Sequence, residues 1–246
     1  MFWFLRLFLA HLLADFPLQS NLIFRYKKQT KYGILLHTSI YLIISLLLSF
    51  PYLKYPEAII FILFLFFVHT LIDLKKMNRS IRSNNDNIKN FIIDQLEHII
   101  SISLVFLLPI SKNPEYLGTK ILGGIINKYY NSDYYVLLFI GYFFVSFAGT
   151  IFYCYLIRVF GNKNIFTSNG VSQKEKYKEV LIRTIIFLVF YWLNFSYIHT
   201  LYVFIFLRSM ELLITKNHKG VVSFFLITFF DFCFIFSMIS FLNLLF

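Results

Sequence analysis

Apolar runs of membrane-crossing length alternate with short polar connections along the whole chain. A helix needs about 17–25 predominantly apolar residues to cross the hydrocarbon core of a bilayer. Eight segments meet that requirement: 2–19, 34–50, 57–74, 91–110, 134–157, 180–195, 197–214 and 221–245. Only the polar break around Asn194 and Ser196 separates the sixth from the seventh, so these two form either a tight helical hairpin or one bent, re-entrant unit. The pattern predicts an all-α fold, a polytopic integral membrane helix bundle of about eight transmembrane helices. The opening run MFWFLRLFLAHLLADF has no basic region before its apolar stretch and no small-residue cleavage site after it. It also carries His11 and Asp15, so it is expected to be a retained first span.

Charge gives the bundle an expected orientation. The connection 20–33 holds Arg25, Lys27, Lys28 and Lys31, and 75–90 holds Lys75, Lys76, Arg79, Arg82 and Lys89. Connection 158–179 adds Arg158, Lys163, Lys174, Lys176 and Lys178, and 215–220 adds Lys216 and Lys219. Alternate connections hold only Lys54, Lys112, Lys120 and Lys128, while Arg6, Arg183 and Arg208 fall inside spans. Basic loops stay cytoplasmic, so both termini are expected outside. Composition agrees with a membrane protein: of 246 residues 59% are hydrophobic, 21% aromatic and 14% charged, against about a quarter charged in soluble domains. A net charge of +11 would also suit a nucleic-acid binder, but its distribution between apolar spans is an orientation signal. Nucleic acid is therefore excluded as a partner and the lipid bilayer expected. Cys154 and Cys233 both lie in apolar spans, offer no CxxC motif, and are expected to be buried, inert thiols.

Against this apolar background, three spans each carry a histidine and an aspartate four residues apart. These are His11 and Asp15 in HLLAD, His69 and Asp73 in HTLID, and Asp94 and His98 in DQLEH. A spacing of four places both members on one helix face, and ionisable groups within hydrocarbon usually mark function. The two helices expected to run inward read His then Asp, and the one running outward reads Asp then His. All three pairs therefore place aspartate nearer the cytoplasm and histidine about 6 Å deeper. His37, near the start of the second span, joins the same depth.

Four imidazoles and three carboxylates suit a divalent Zn, Mn or Fe ion better than a soft, thiolate-bound metal. The expected metal ligands are His11, His37, His69, His98, Asp15, Asp73 and Asp94. Seven groups exceed one tetrahedral ion, leaving open a two-metal centre or one ion with outer Asp–His pairs. An aspartate not needed as a ligand, Asp15, Asp73 or Asp94, would act as general base. Gln19, Gln95 and Lys76 flank the zone as candidate substrate-binding residues. Lys75 and Lys76 follow Asp73 at headgroup level, where lipid phosphate lies. Glu97 falls about 100° around the helix from His98 and is expected to face elsewhere. In the second half, Arg208 and Glu211 are expected to pair, Arg183 to snorkel to the interface, His199 and His218 to be interfacial side chains, and Asp231, a lone acid in the last span, to be protonated or hydrogen-bonded to another helix as a minor candidate. The chain contains no P-loop, GxGxxG, GxSxG or HExxH element.

With HLLADFPLQ at 11–19, LLH at 35–37, HTLIDLKK at 69–76 and DQLEH at 94–98, the chain resembles the bacterial membrane family called domain of unknown function 3307. The likeness covers residues 5–110 best. Longer relatives tend to carry a Glu-Arg pair at the start of a late span, where this chain has Ile182-Arg183. The resemblance implies a multi-pass protein of the bacterial inner (plasma) membrane, without an assigned activity. The expected organisation is a polar-cored, family-like subdomain of four helices at 1–110 and a C-terminal membrane subdomain at 111–246. The leading functional expectation is a metal-dependent hydrolase of lipid or small-molecule (phospho)esters. Two other classes use the same polar core: an ion or proton transporter, and a non-catalytic membrane partner whose pairs only fix helix packing.

Overall fold

The computed structural model describes residues 1–83, 88–160 and 173–192, with short pieces at 228–229, 232–233 and 235–237. Among the described residues every regular element is helical. The order is α1 (Phe2–Asp15), α2 (Asn21–Gln29), α3 (Lys31–Leu48), α4 (Pro56–Ser83), α5 (Ile88–Ser103), α6 (Thr119–Asn131), α7 (Asp133–Phe143), α8 (Gly149–Phe160) and α9 (Gln173–Trp192). Among the described residues, four stretches are long and apolar enough to cross a membrane: Lys31–Leu48, Pro56–Arg79, Ile88–Leu107 and Asp133–Leu156. They correspond to the expected spans 34–50, 57–74, 91–110 and 134–157. The expected 180–195 falls largely within α9, whereas 197–214, most of 221–245 and the side chains of His199, Arg208, Glu211, His218 and Asp231 lie outside the described residues. The chain divides into two compact units, Met1–Ile140 and Gly141–Phe246.

In the first unit, α1 is shorter than the expected span 2–19. Its 14 residues reach about 21 Å, and Pro17, which lacks an N–H, cannot continue its hydrogen-bond ladder. What α1 lacks in length it makes up in burial. Trp3, Leu7, Ala10, Leu12 and Ala14 are all essentially inaccessible, as expected for a helix apolar on every side. It packs on α3 and α5, α3 packs on α4, and α4 on α5, closing a four-helix bundle. Directions alternate. The start of α1 meets the end of α3, where the Trp3 indole N–H donates to Ser49 Oγ at 2.8 Å. Trp3 also stacks on Tyr52 at 4.6 Å between ring centroids and meets Phe61 near the start of α4 edge-on. At the other end of the bundle, the C-terminus of α1 meets the first turns of α3 and α5 and the middle of α4.

Two expected connections are helical. Segment 20–33 contains α2, N-capped by Ser20, whose Oγ accepts from the Ile23 N–H at 3.3 Å. Thr30 then caps α3, accepting from the Gly33 N–H at 3.0 Å. The expected loop 75–90 is shortened because α4 continues to Ser83. Segment 111–133 holds α6. Arg6 of α1 is fully buried there, 2.6 Å from Asp133 and over the ring of Phe2, and it donates to the Tyr130 carbonyl.

In the second unit, a π-helical turn, Phe144–Ala148, joins α7 to α8. Arg183 does not snorkel to an interface. It is buried and paired with Glu179 at 2.7 Å, one turn earlier on α9, because an opposite charge four residues away compensates a guanidinium that would otherwise seek water. Cys154 is buried as expected, but Cys233 is exposed, lying on the open side of a short helical piece.

Candidate metal centre

The polar end of the first unit brings all three pairs together with His37. Each pair sits on one face of its helix, and the alternating directions of α1, α3, α4 and α5 put those faces at one level. The carboxylate of Asp15 is the junction. Its Oδ1 lies 3.2 Å from His37 Nε2, 3.3 Å from His69 Nε2 and 3.8 Å from His11 Nδ1. Asp73 Oδ2 lies 3.6 Å from His37 Nε2 and 3.7 Å from His69 Nε2. Asp94 Oδ1 is 3.8 Å from His98 Nε2. The imidazoles themselves are neighbours, with ring centroids 4.2 Å apart for His69 and His98, 4.7 Å for His11 and His98, and 5.6 Å for His11 and His69.

Three overlapping triads each offer one ligand atom per residue within 4.8 Å of the others: His11, His69 and His98; Asp15, His37 and His69; Asp15, Asp94 and His98. Ligands of a common Zn ion at about 2.1 Å are separated by roughly 3.4 Å along a tetrahedral edge. The Asp15 distances to His37 and His69 are already of that size. Side chains around the cluster close it off: Tyr41 stacks on His69 at 4.6 Å, and His11, His37, His69 and His98 are all buried.

The flanking residues contact the cluster's own side chains. Gln95 Oε1 lies 3.3 Å from His11 Nε2, while the Gln95 amide donates to Asp94 Oδ2 at 3.1 Å. The carboxylate can only accept, so it fixes which end of the amide is oxygen. That oxygen in turn requires the proton of His11 on Nε2, which leaves Nδ1 as a lone pair facing Asp15. Gln19 similarly places its amide nitrogen 3.2 Å from the His37 ring. Gln95 thus orients His11 from behind, as outer partners of metal sites do, whereas Gln19 lies beside the same His37 Nε2 that faces Asp15. Glu97 faces away from the cluster and pairs with Lys75, as its position around the helix predicts.

Lysine enters the site twice. Lys76 Nζ lies 2.6 Å from Asp94 Oδ2, so it meets a carboxylate of the cluster. Lys27 Nζ lies 2.6 Å from Asp73 Oδ1 with its side chain only 3% exposed. In sequence Lys27 reads as one of the orientation charges of a loop, whereas the structure places it in the site. The available signal was its position four residues after Ile23 and three after Phe24, on the apolar stripe of a short amphipathic helix.

A protein whose described residues are all helical in their regular elements, with membrane-length helices and a buried histidine–aspartate cluster at one end of a four-helix bundle, is the class these features define. Residues 3–119 match the family described as "Protein of unknown function (DUF3307)", the family that the HLLADFPLQ, HTLIDLKK and DQLEH motifs resemble. The matched stretch contains every residue of the cluster. No curated protein and no solved structure matches the chain.

Proposed function

We propose that the cluster is a divalent transition-metal centre and that the protein is a hydrolase of ester or phosphoester bonds. Its substrate would be a lipid or small molecule at the cytoplasmic edge of the bacterial inner membrane. One observation carries this reading. Six ligand-type atoms, His11 Nδ1, His69 Nε2, His98 Nε2, Asp15 Oδ1, Asp73 Oδ2 and Asp94 Oδ1, are buried without a hydrogen-bond partner. Each such atom costs about 1–3 kcal/mol, and a shared cation is the simplest group to satisfy all six. Nitrogen and carboxylate donors suit Zn, Mn or Fe(II). Such an ion, when bound, supplies a water acidified to a pKa of about 7.

The protein's own residues divide the remaining work. Asp15 and the four histidines hold the position, with His11 oriented by Gln95. Asp73 and Asp94 each give one oxygen to a lysine and turn the other towards the histidines; whichever of the two the ion does not take can accept a proton. Transport fits less well. One turn deeper than the histidines, three of the four facing residues, Leu7, Leu65 and Ile102, are buried and apolar, with Tyr41 the fourth.

Metal analysis of the purified full chain tests the proposal. Stoichiometric Zn, Mn or Fe is expected, with His69→Ala and His98→Gln each losing most of it while circular dichroism shows the helices intact. A chain that takes up no metal, even on reconstitution, overturns the proposal.

A further inference from the structure

The first unit carries a second polar constellation, at the end of the bundle opposite the histidine–aspartate cluster. An open cavity of about 360 Å³ lies there, between the start of α1, the turn Pro109–Lys112 and the junction of α6 with α7. Small-molecule sites usually begin at about 300 Å³. Phe2 and Tyr116 line it with aromatic rings that meet edge-on, 5.4 Å apart between centroids. Lys112 and Asp133 line it too, without pairing with each other. Among the described residues the exposed Lys112 has no ion-pair or hydrogen-bond partner. Asp133 gives Oδ1 to the buried guanidinium of Arg6 at 2.6 Å, and its side chain stays 43% exposed, which leaves Oδ2 for another donor. The segment beside the cavity is held in place although it belongs to no helix. Asn131 accepts from the Leu117 N–H at 2.8 Å and donates to the Leu117 carbonyl at 3.1 Å. Glu115 accepts from Lys54 at 2.6 Å and from the Tyr55 hydroxyl at 2.7 Å, and the Tyr52 hydroxyl donates to the Asn113 carbonyl at 3.1 Å. A cavity with walls fixed in advance binds without the cost of ordering them.

Charge decides what such a cavity accepts. A simple anion drawn to Lys112 would meet the open oxygen of Asp133, and a simple cation drawn to Asp133 would meet Lys112 and, behind the carboxylate, Arg6. A ligand that carries both signs satisfies both ends. We infer that the cavity binds a phosphoethanolamine group, its phosphodiester against Lys112 and its ammonium against Asp133 beside the Tyr116 ring. Phosphate accepts readily from a lysine ammonium, and an ammonium is attracted to a tyrosine face as well as to a carboxylate. The surroundings suit a lipid as the bearer of this group. The turn Leu104–Leu107 precedes the cavity, and its Phe106 stacks on Phe4 of α1 at 5.0 Å while Leu104, Phe106 and Leu107 stay exposed. Exposed apolar side chains next to a polar cavity at a bundle end give acyl chains a surface below their headgroup. A soluble phosphoethanolamine diester presents the same two charges. The inference stands apart from the metal reading, since no residue of the cavity belongs to the cluster.

The test titrates the full chain in detergent with glycerophosphoethanolamine, followed by calorimetry. Glycerophosphoglycerol, which keeps the phosphodiester and lacks the ammonium, is the comparison probe. A second arm places the chain in nanodiscs of equimolar phosphatidylethanolamine and phosphatidylglycerol and counts by native mass spectrometry the lipids that stay bound. This arm separates a lipid headgroup from the free diester. Expected is saturable binding of the ethanolamine form in at least one arm, with the glycerol form weaker by about fivefold, the scale of one partly exposed charge pair. Lys112→Gln is expected to weaken binding by a similar factor, and Lys112→Arg to restore it. Lys112 has no partner to lose, so its variants keep the fold, and Asp133 is left intact because the buried Arg6 depends on it. Equal binding of the ethanolamine and glycerol forms overturns the inference, as does unchanged binding in Lys112→Gln or no binding in either arm.

Discussion

At the scale of single residues, Lys27 and Asp73 show how a charge can be misread from its neighbourhood. In sequence, Lys27 belongs to a basic stretch between apolar runs, and such stretches are normally solvated. In the structure it is the most deeply buried lysine of that stretch, 2.6 Å from a carboxylate that is itself 1% exposed. Removing one partner of a buried pair leaves the other uncompensated, which typically costs about 3–5 kcal/mol, whereas replacing both with apolar residues of similar size is often nearly neutral. Asp73→Ala is therefore expected to lower the unfolding free energy in detergent by several kcal/mol, and Asp73→Leu combined with Lys27→Met to recover most of it. Equal losses in both proteins, measured by thermal unfolding, would mean that the pair carries no special weight. The histidines and aspartates were legible because the four-residue spacing fixes which side chains share a face, whatever else the helix does. The glutamines were legible only as neighbours. Their role depends on which atom each amide presents to His11 and His37, and no spacing rule contains that information.

Among the elements, the apolar runs announced the helices, but their ends and the short helices between them came from terms that hydropathy does not carry. α1 stops at Asp15 because of Pro17. α4 continues through Lys75, Lys76 and Arg79 because lysine and arginine are good helix formers, although their charge ends the hydropathy signal. α2 exists through its caps and its contact with α3. That contact hinges on Gly33. A Cβ at this position would lie 2.3 Å from the Tyr26 carbonyl carbon and oxygen and 2.5 Å from the Lys27 nitrogen. These are backbone atoms and cannot rotate aside, so only glycine lets the two helices approach. Gly33→Ala is expected to push α2 off α3, with a cost at or above the usual 1–3 kcal/mol of overpacking, and to draw Lys27 away from Asp73. Two measurements check this: a lowered melting temperature, and faster tryptic cleavage after Arg25 and Lys28. A variant with unchanged melting and unchanged cleavage would show that α2 holds its place by other means.

For the whole molecule, the remaining question is which side of the membrane the cluster faces, and helix length narrows it. α4 spans 28 residues, or about 42 Å, against a hydrocarbon core of about 30 Å. Measured from Pro56, His69 lies about 20 Å and Asp73 about 26 Å along the axis, which places the cluster in the last third of the core. The basic residues Lys75, Lys76 and Arg79 then emerge just beyond it. If basic segments remain inside, the cluster opens to the cytoplasmic leaflet and the bend around Pro114 lies on the opposite side. This is directly measurable. With Cys154 and Cys233 replaced by serine, a cysteine introduced as Pro114→Cys is expected to react with a membrane-impermeant maleimide in intact cells. A cysteine introduced as Ser20→Cys, at the α2 N-cap, is expected to react only after permeabilisation. The reverse pattern would turn the bundle over and place the site at the outer leaflet. It would leave the geometry of the cluster untouched but move its substrates to the other compartment. Labelling of both positions in intact cells would conflict with the alternating directions of α1, α3, α4 and α5 across the bilayer, since these helices carry residues 20 and 114 to opposite ends of the bundle.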